Sequence, residues 1–216
     1  IIMRRNRKPT ITVYADPISE PASVLFARVR PQIEAIELPT GYQLEWGGEY
    51  EDSDNAQAGL AASIPMFVLA MILITIMLFN SLRQPLIIWL VVPLAVIGVT
   101  VGLLGTNQPF GFMSLLGFLS LMGMLIKNAI VLIDEINLQS SGDKDLMSAI
   151  VDSGVSRLRP VAMAASTTAL GMIPLLFDAF FVAMAITIIA GLMFATLLTM
   201  IVVPVLYATF YKTESA

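Results

Sequence analysis

The sequence predicts a mainly α, polytopic membrane helix bundle of about five transmembrane helices, preceded by a small α+β strand–helix–strand piece of ferredoxin-like type. Three observations point there. Only 13% of the 216 residues are charged, against 57% hydrophobic, whereas an ordinary soluble domain is about a quarter charged. The charges are also segregated. None lies between Asp54 and Arg83, Arg83 and Lys127, Arg159 and Asp178, or Asp178 and Lys212. Apolar runs of this length can cross a bilayer, which takes about 20 helical residues. Before Asp54 the chain is polar, with strand-like alternation. The boundary is placed at residue 58, giving a soluble segment 1–57 and a membrane domain 58–216.

In the first segment Thr10-Ile11-Thr12-Val13-Tyr14-Ala15 alternates like a half-buried strand, and Asp16-Pro17 closes it. A helix is expected from Glu20. Pro21 suits its first turn, and Val24, Leu25, Ala27, Val29, Ile33 and Ile36 give it an apolar face, with Pro31 as an interruption. Leu38-Pro39-Thr40-Gly41-Tyr42 makes a turn, and Gln43-Leu44-Glu45-Trp46 a second strand closed by Gly47-Gly48. This is half of a split βαβ unit, too small to hold a core alone. Arg4, Arg5, Arg7 and Lys8 read as a solvated strand edge or loop. Glu49, Glu51, Asp52 and Asp54 read as a solvated linker, because they lack the glycine and spacing of a calcium loop.

The spans are expected at 60–79, 86–104, 111–136, 160–176 and 181–207. An amphipathic helix at 143–154, capped by Asp143 and carrying Leu146, Met147, Ile150 and Val151, is expected on the membrane surface. Pro93, Pro174 and Pro204 can kink or break spans where neighbours re-satisfy the backbone. Small residues crowd the last two spans, and spacings such as Gly191 with Ala195 let helix backbones approach closely. Arg83, Lys144, Arg157, Arg159 and Lys212 fall in the first and third loops and the tail. The positive-inside rule makes those cytoplasmic and the N-terminal segment external. The chain opens on Ile1 and reads as the C-terminal piece of a longer protein.

Chemistry concentrates in the third span, where Lys127 sits among apolar residues. A charge at that depth costs roughly 3 kcal/mol on insertion scales, and is usually functional. Gly117, Ser120, Gly123, Lys127 and Asp134 fall on one helical stripe. In one reading Lys127 belongs to a proton or ion relay between packed helices. In the other its stem snorkels to the interface. The next charges are Asp134 and Glu135, and then Arg157 and Arg159 at the head of the fourth span. No carboxylate stands inside the membrane with Lys127 on this chain, so its acidic partner is expected on a helix outside it. Ser166, Thr167 and Thr168 offer hydroxyls to a relay, or bond back to their own helix.

An enzyme is not expected. The chain has no cysteine and no histidine, so thiol chemistry and a Cys/His zinc site are excluded. There is no Gly-rich phosphate loop, no cofactor or metal motif, and no basic run interleaved with aromatics for nucleic acid.

Gly117-Phe118-Leu119-Ser120-Leu121-Met122-Gly123-Met124-Leu125-Ile126-Lys127-Asn128-Ala129-Ile130-Val131-Leu132 resembles the tenth transmembrane helix of resistance-nodulation-division (RND) drug-efflux transporters. Arg157-Leu158-Arg159-Pro160-Val161 resembles the opening of their eleventh helix, and Val202-Val203-Pro204-Val205-Leu206-Tyr207 the end of their twelfth. Leu38-Pro39-Thr40-Gly41-Tyr42 with Gly47-Gly48-Glu49 resembles the last porter subdomain before helix eight. The resemblance covers essentially the whole chain. It implies the C-terminal part of a trimeric, multi-pass bacterial inner-membrane pump that takes up drugs or other amphiphilic compounds. The coupling ion is the proton, and a periplasmic adaptor and an outer-membrane channel complete the path. Segment 1–57 becomes a periplasmic porter fragment.

The resemblance also assigns a proton-coupling relay to Lys127, Asn128 and Arg157, with Lys127 pairing to aspartates on a helix of the N-terminal half. Many members carry a relay threonine seven residues after the arginine. Here that position is Ala164, which leaves Thr167 and Thr168 as candidate hydroxyls. The Lys127-Asn128 pair points to the hydrophobic and amphiphilic branch rather than the heavy-metal branch. Two other readings stand beside this one. One is a related proton-driven lipid exporter or secretion-assisting protein. The other is a non-transporting scaffold in which Lys127 only specifies helix pairing.

Overall fold

The computed structural model describes residues 3–15, 22–141 and 145–212. It divides into two compact units, Ile1–Trp46 and Gly47–Ala216.

In the first unit β1 (Arg4–Arg5) and β2 (Lys8–Pro9) form an antiparallel hairpin, with Arg4 opposite Pro9 and Arg5 opposite Lys8. Asn6 and Arg7, at φ 51° and 65°, supply its two-residue turn. Positive φ at both central positions matches the twist of the flanking strands. Thr10–Ala15 is not a strand. An alternating pattern becomes one only beside a hydrogen-bond ladder, and here Ile11 and Val13 are 90% and 87% exposed. Gln43–Trp46 is not a strand either, because Trp46 folds back onto α1 (Ala22–Glu34). Its indole donates to Glu34 Oε1 at 3.1 Å and meets the Phe26 ring edge-on at 4.8 Å. Arg30 Nε donates to the same oxygen at 2.7 Å. The Arg30 and Trp46 hydrogen bonds hold the Glu34 carboxyl below its usual range. Pro31 stays inside α1, while Asp16, Pro17, Glu20 and Pro21 lie outside the described residues.

The second unit is the bundle: α2 (Glu49–Phe79), α3 (Arg83–Gly105), α4 (Phe112–Ser140), α5 (Leu146–Met172) and α6 (Val182–Lys212). All five are long and apolar enough to cross a membrane. The first begins well before residue 60. Gly48, at φ 68°, precedes a first turn holding Glu49, Glu51 and Asp52. Carboxylates there complement the positive end of the helix dipole. The acidic run is therefore the head of α2 and not a linker.

The expected surface helix at 143–154 is not a separate element. Its residues from Leu146 are the first turns of α5, which continues through Pro160. Packing explains this. Ala149 and Ile150 are buried, and Ile150 joins a core cluster with Ile136, Val203 and Tyr207. A face docked on protein is not free to lie on lipid. Asp143 falls outside the described residues, and Asp145 stands at the cap position. Proline removes one backbone bond from a helix, and the docked turns on either side of Pro160 hold the helix continuous. Pro174 instead falls in a 3-10 turn, Ile173–Phe177, which ends α5. Asp178 then accepts the backbone N–H of Phe180 at 2.8 Å and starts the turn into α6.

α6 is the centre of the bundle. Ala185, Leu192, Ala195 and Val203 are buried along it. On α3, a Cβ added at Gly102 would lie 2.3 Å from the Ala190 Cβ, and one at Gly98 would lie 3.0 Å from the Ala190 carbonyl oxygen. On α4, a Cβ at Gly117 would lie 3.0 Å from the Met184 carbonyl oxygen. Glycine is required at these seams because another backbone occupies the space of the side chain. The result fixes α4, the lysine helix, by one face.

Candidate functional site

α4 has two unlike faces. Leu121, Leu125, Ala129, Leu132, Ile133 and Ile136 are fully or almost fully buried in the bundle. Ser120, Gly123, Lys127 and Asp134 are exposed on the other side. Gly117, expected on that stripe, is instead buried against α6. Lys127 makes no hydrogen bond or ion pair to any described residue, and neither does the side chain of Asn128, which is half-buried. Nothing in the bundle lies within 4 Å of a Cβ placed on Gly123, one turn before the lysine. The stripe is thus a strip of small and polar residues on the face of α4 turned away from the core. Among the described residues no carboxylate pairs with this cation.

Arg157 is not brought to Lys127. It closes onto Glu135, two turns further along α4. Arg157 Nε donates to Glu135 Oε2 at 2.9 Å, and Nη2 donates to the same oxygen. Gln139 Nε2 donates to Glu135 Oε1 at 2.9 Å, while Ser156 Oγ lies 3.5 Å from that oxygen and donates to the nearer Ser153 carbonyl at 3.0 Å. The Glu135 side chain is 14% exposed and that of Arg157 33%. This pair joins α4 to α5.

The two threonines bond to their own helix. Thr167 Oγ1 donates to the Met163 and Ala164 carbonyls at 3.0 Å, and Thr168 Oγ1 donates to Ala164 at 2.9 Å. In this arrangement both hydroxyl protons are committed to backbone oxygens, leaving lone pairs as the free function.

A second polar cluster was not anticipated from the sequence. Gln84 Nε2 donates to Asn137 Oδ1 at 2.9 Å, and Asn137 Nδ2 returns a bond to Gln84 Oε1 at 3.2 Å. Tyr207 Oη donates to the same Asn137 oxygen at 2.9 Å. Gln84 and Tyr207 are buried, and Tyr207 stacks on Tyr211 with centroids 4.4 Å apart. This node ties the start of α3 and the end of α6 to the end of α4. Asn137→Ala leaves two buried groups without partners, an expected loss of about 2–3 kcal/mol. Tyr207→Phe, which removes one donor, should cost about 1 kcal/mol. Thermal unfolding of the full-length protein in detergent measures both, and the order Asn137→Ala below Tyr207→Phe is the expected result.

Comparison with known proteins agrees with this anatomy. Residues 1–211 match the family model described as the AcrB/AcrD/AcrF family. The cobalt-zinc-cadmium resistance protein CzcA of Cupriavidus metallidurans is 26% identical over 219 residues, covering 99% of this chain and 21% of that protein. The multidrug resistance protein MdtC of Pectobacterium carotovorum is 26% identical over 192 residues, covering 86% of this chain and 19% of that protein. A crystal structure of a heavy metal efflux pump superposes with a TM-score of 0.68 at 32% identity, covering 92% of this chain and 20% of that one. The chain therefore spans about a fifth of the length of the relatives it matches. This apolar five-helix chain, with Lys127 exposed on α4 and matched along nearly its whole length, belongs to the AcrB/AcrD/AcrF family of RND transporters.

Proposed function

We propose that this chain is the C-terminal part of a proton-driven RND efflux transporter that exports amphiphilic compounds across the bacterial envelope. The observation behind the reading is Lys127, exposed on α4 without a partner among the described residues. A cation so placed is poised to sense carboxylates on a facing helix of the N-terminal half. Protonating those acids weakens their attraction for Lys127, and the facing helices shift. The proton is then the coupling ion, and Asn128 and Arg157 complete the relay on this side. Thr167 and Thr168 can serve it as acceptors. The protein sits in the inner membrane, with segment 1–57 periplasmic and the C-terminus cytoplasmic. It works as a homotrimer with a periplasmic adaptor and an outer-membrane channel. Transport, and not catalysis, is its activity.

The amphiphile reading rests on the Lys127-Asn128 pair. Export of divalent metal cations is the second reading, favoured by the likeness to a heavy metal efflux pump at 32% identity. Everted vesicles holding the full-length protein separate the two. A pH gradient is imposed, and uptake of a cationic amphiphilic dye is compared with uptake of zinc, cobalt and cadmium. Dye uptake that vanishes with a proton ionophore is the expected result. Metal uptake alone transfers the assignment to the second reading. Uptake of neither, from a protein abundant in the membrane, leaves the scaffold role.

A further inference from the structure

We propose that Glu135 is the positioning residue for Arg157, fixing its guanidinium at the end of α4. This assignment rests on the relay reading above. Arg157 is a long side chain at the head of the apolar part of α5, and without a partner it would sample many rotamers. Glu135 removes that freedom. Its Oε2 takes two guanidinium N–H groups, while Gln139 donates to Oε1. Three donors on one carboxylate, two from Arg157 and one from Gln139, define its orientation, and charge-assisted bonds are the strong kind. Gln139 stands one turn after Glu135 on the same helix, and Arg157 reaches the carboxylate from α5. The carboxylate is therefore held from both helices.

The node Gln84–Asn137–Tyr207 makes this anchorage rigid. It ties α4 to α3 and α6 two residues beyond Glu135. A shift of α4 at Lys127 would then reach Arg157 through Glu135, about 12 Å along the same helix at 1.5 Å per residue. Among the described residues the charged group facing Glu135 is Arg157 from α5. α6 brings the titratable Tyr207, which bonds Asn137. Asp134 of α4 itself is exposed on the outer stripe.

The test uses the full-length pump in membranes with an imposed pH gradient, at matched abundance. Glu135→Gln should lower transport about tenfold, the loss that follows when a charge-assisted hydrogen bond becomes a neutral one. It should also move the pH profile toward acid. Removing the negative charge leaves Arg157 uncompensated, and the added positive field lowers the pKa of the relay acids, so they load protons only at lower pH. Glu135→Asp keeps the charge and should retain the wild-type profile. A merely structural pair would change abundance and leave the profile alone. If Glu135→Gln fails to accumulate, the exchange of Glu135→Arg with Arg157→Glu decides. It restores the pair but moves the guanidinium to α4, so recovery of abundance without transport supports the assignment. Full recovery of transport overturns it. A wild-type rate and profile in Glu135→Gln, with Lys127→Ala inactive, also overturns it and spares the relay. A pump indifferent to Lys127→Ala sinks the relay reading, and this assignment with it.

Discussion

Lys127→Ala is expected to abolish gradient-driven transport by the full-length pump without removing it from the membrane. The size of the effect follows from the setting. Removing one member of a desolvated charge pair costs about 3–5 kcal/mol, because the other member is left uncompensated. Relay acids that lose their lysine would hold protons more tightly, so they would load readily and release poorly. A fall on the order of a hundredfold in transport corresponds to about 3 kcal/mol at the lower end of that range. Folding should survive, because Lys127 is exposed and is not among the buried side chains that hold α4 in the bundle. Lys127→Arg is expected to rescue incompletely. The guanidinium keeps the charge but spreads it over a planar fork that does not reproduce a compact ammonium. Dye or metal uptake into vesicles, measured beside proton flux, checks both variants. Wild-type uptake in Lys127→Ala at matched abundance would mean that the lysine only snorkels, and that coupling lies on other residues.

How much of this was legible before the structure differs by region, for physical reasons. The five spans were readable because membrane helices are long and uncharged, and that signal is local. Lys127 stood out for the same reason. The pair Glu135–Arg157 was within reach, since an acid at the end of one span and a base at the head of the next stand at the same side of the membrane. Its local signal is weak because both charges lie near the ends of the apolar runs, where charged residues are ordinary. The node at Asn137 left little local trace. Gln84, Asn137 and Tyr207 lie far apart in sequence, and an amide near a helix end looks like ordinary interfacial polarity. The first segment misled most. Alternation in Thr10–Ala15 is genuine, but a strand is a property of two chains side by side, and the pattern cannot supply the neighbour. The head of α5 misled differently. Its amphipathic face is apolar toward Ile136 and Val203, and hydrophobic periodicity does not say whether lipid or protein will cover such a face.

The second large effect is expected at the seam between α3 and α6. Gly102→Ala adds one methyl group, and its carbon would sit 2.3 Å from the Ala190 Cβ. Neither carbon can rotate away, because each is fixed to its own backbone. The helices must separate, and overpacking of this kind costs about 1–3 kcal/mol. The better helix propensity of alanine offsets at most about 1 kcal/mol of this. Gly98→Ala is expected to act alike, with 2.7 Å to the Phe194 Cβ and 3.2 Å to the Gly191 Cα. Gly191→Ala would meet the flexible end of Leu121 at 2.3 Å and the stiffer, β-branched Val99 at 2.9 Å, so a loss is expected there too. The contact can be isolated by adding Ala190→Gly to Gly102→Ala. That second change removes the opposing methyl group and should recover most of the loss, despite its own propensity cost of about 1 kcal/mol. Thermal unfolding of the four proteins in detergent completes the cycle. Losses that simply add would show that the two positions do not press on one another. Recovery would show that α6 is held to α3 by backbone proximity. The same geometry continues through Gly191, which meets Val99 of α3 and Leu121 of α4. α4 is thereby clamped by its buried face, and Lys127 is left on the face that remains open to a partner.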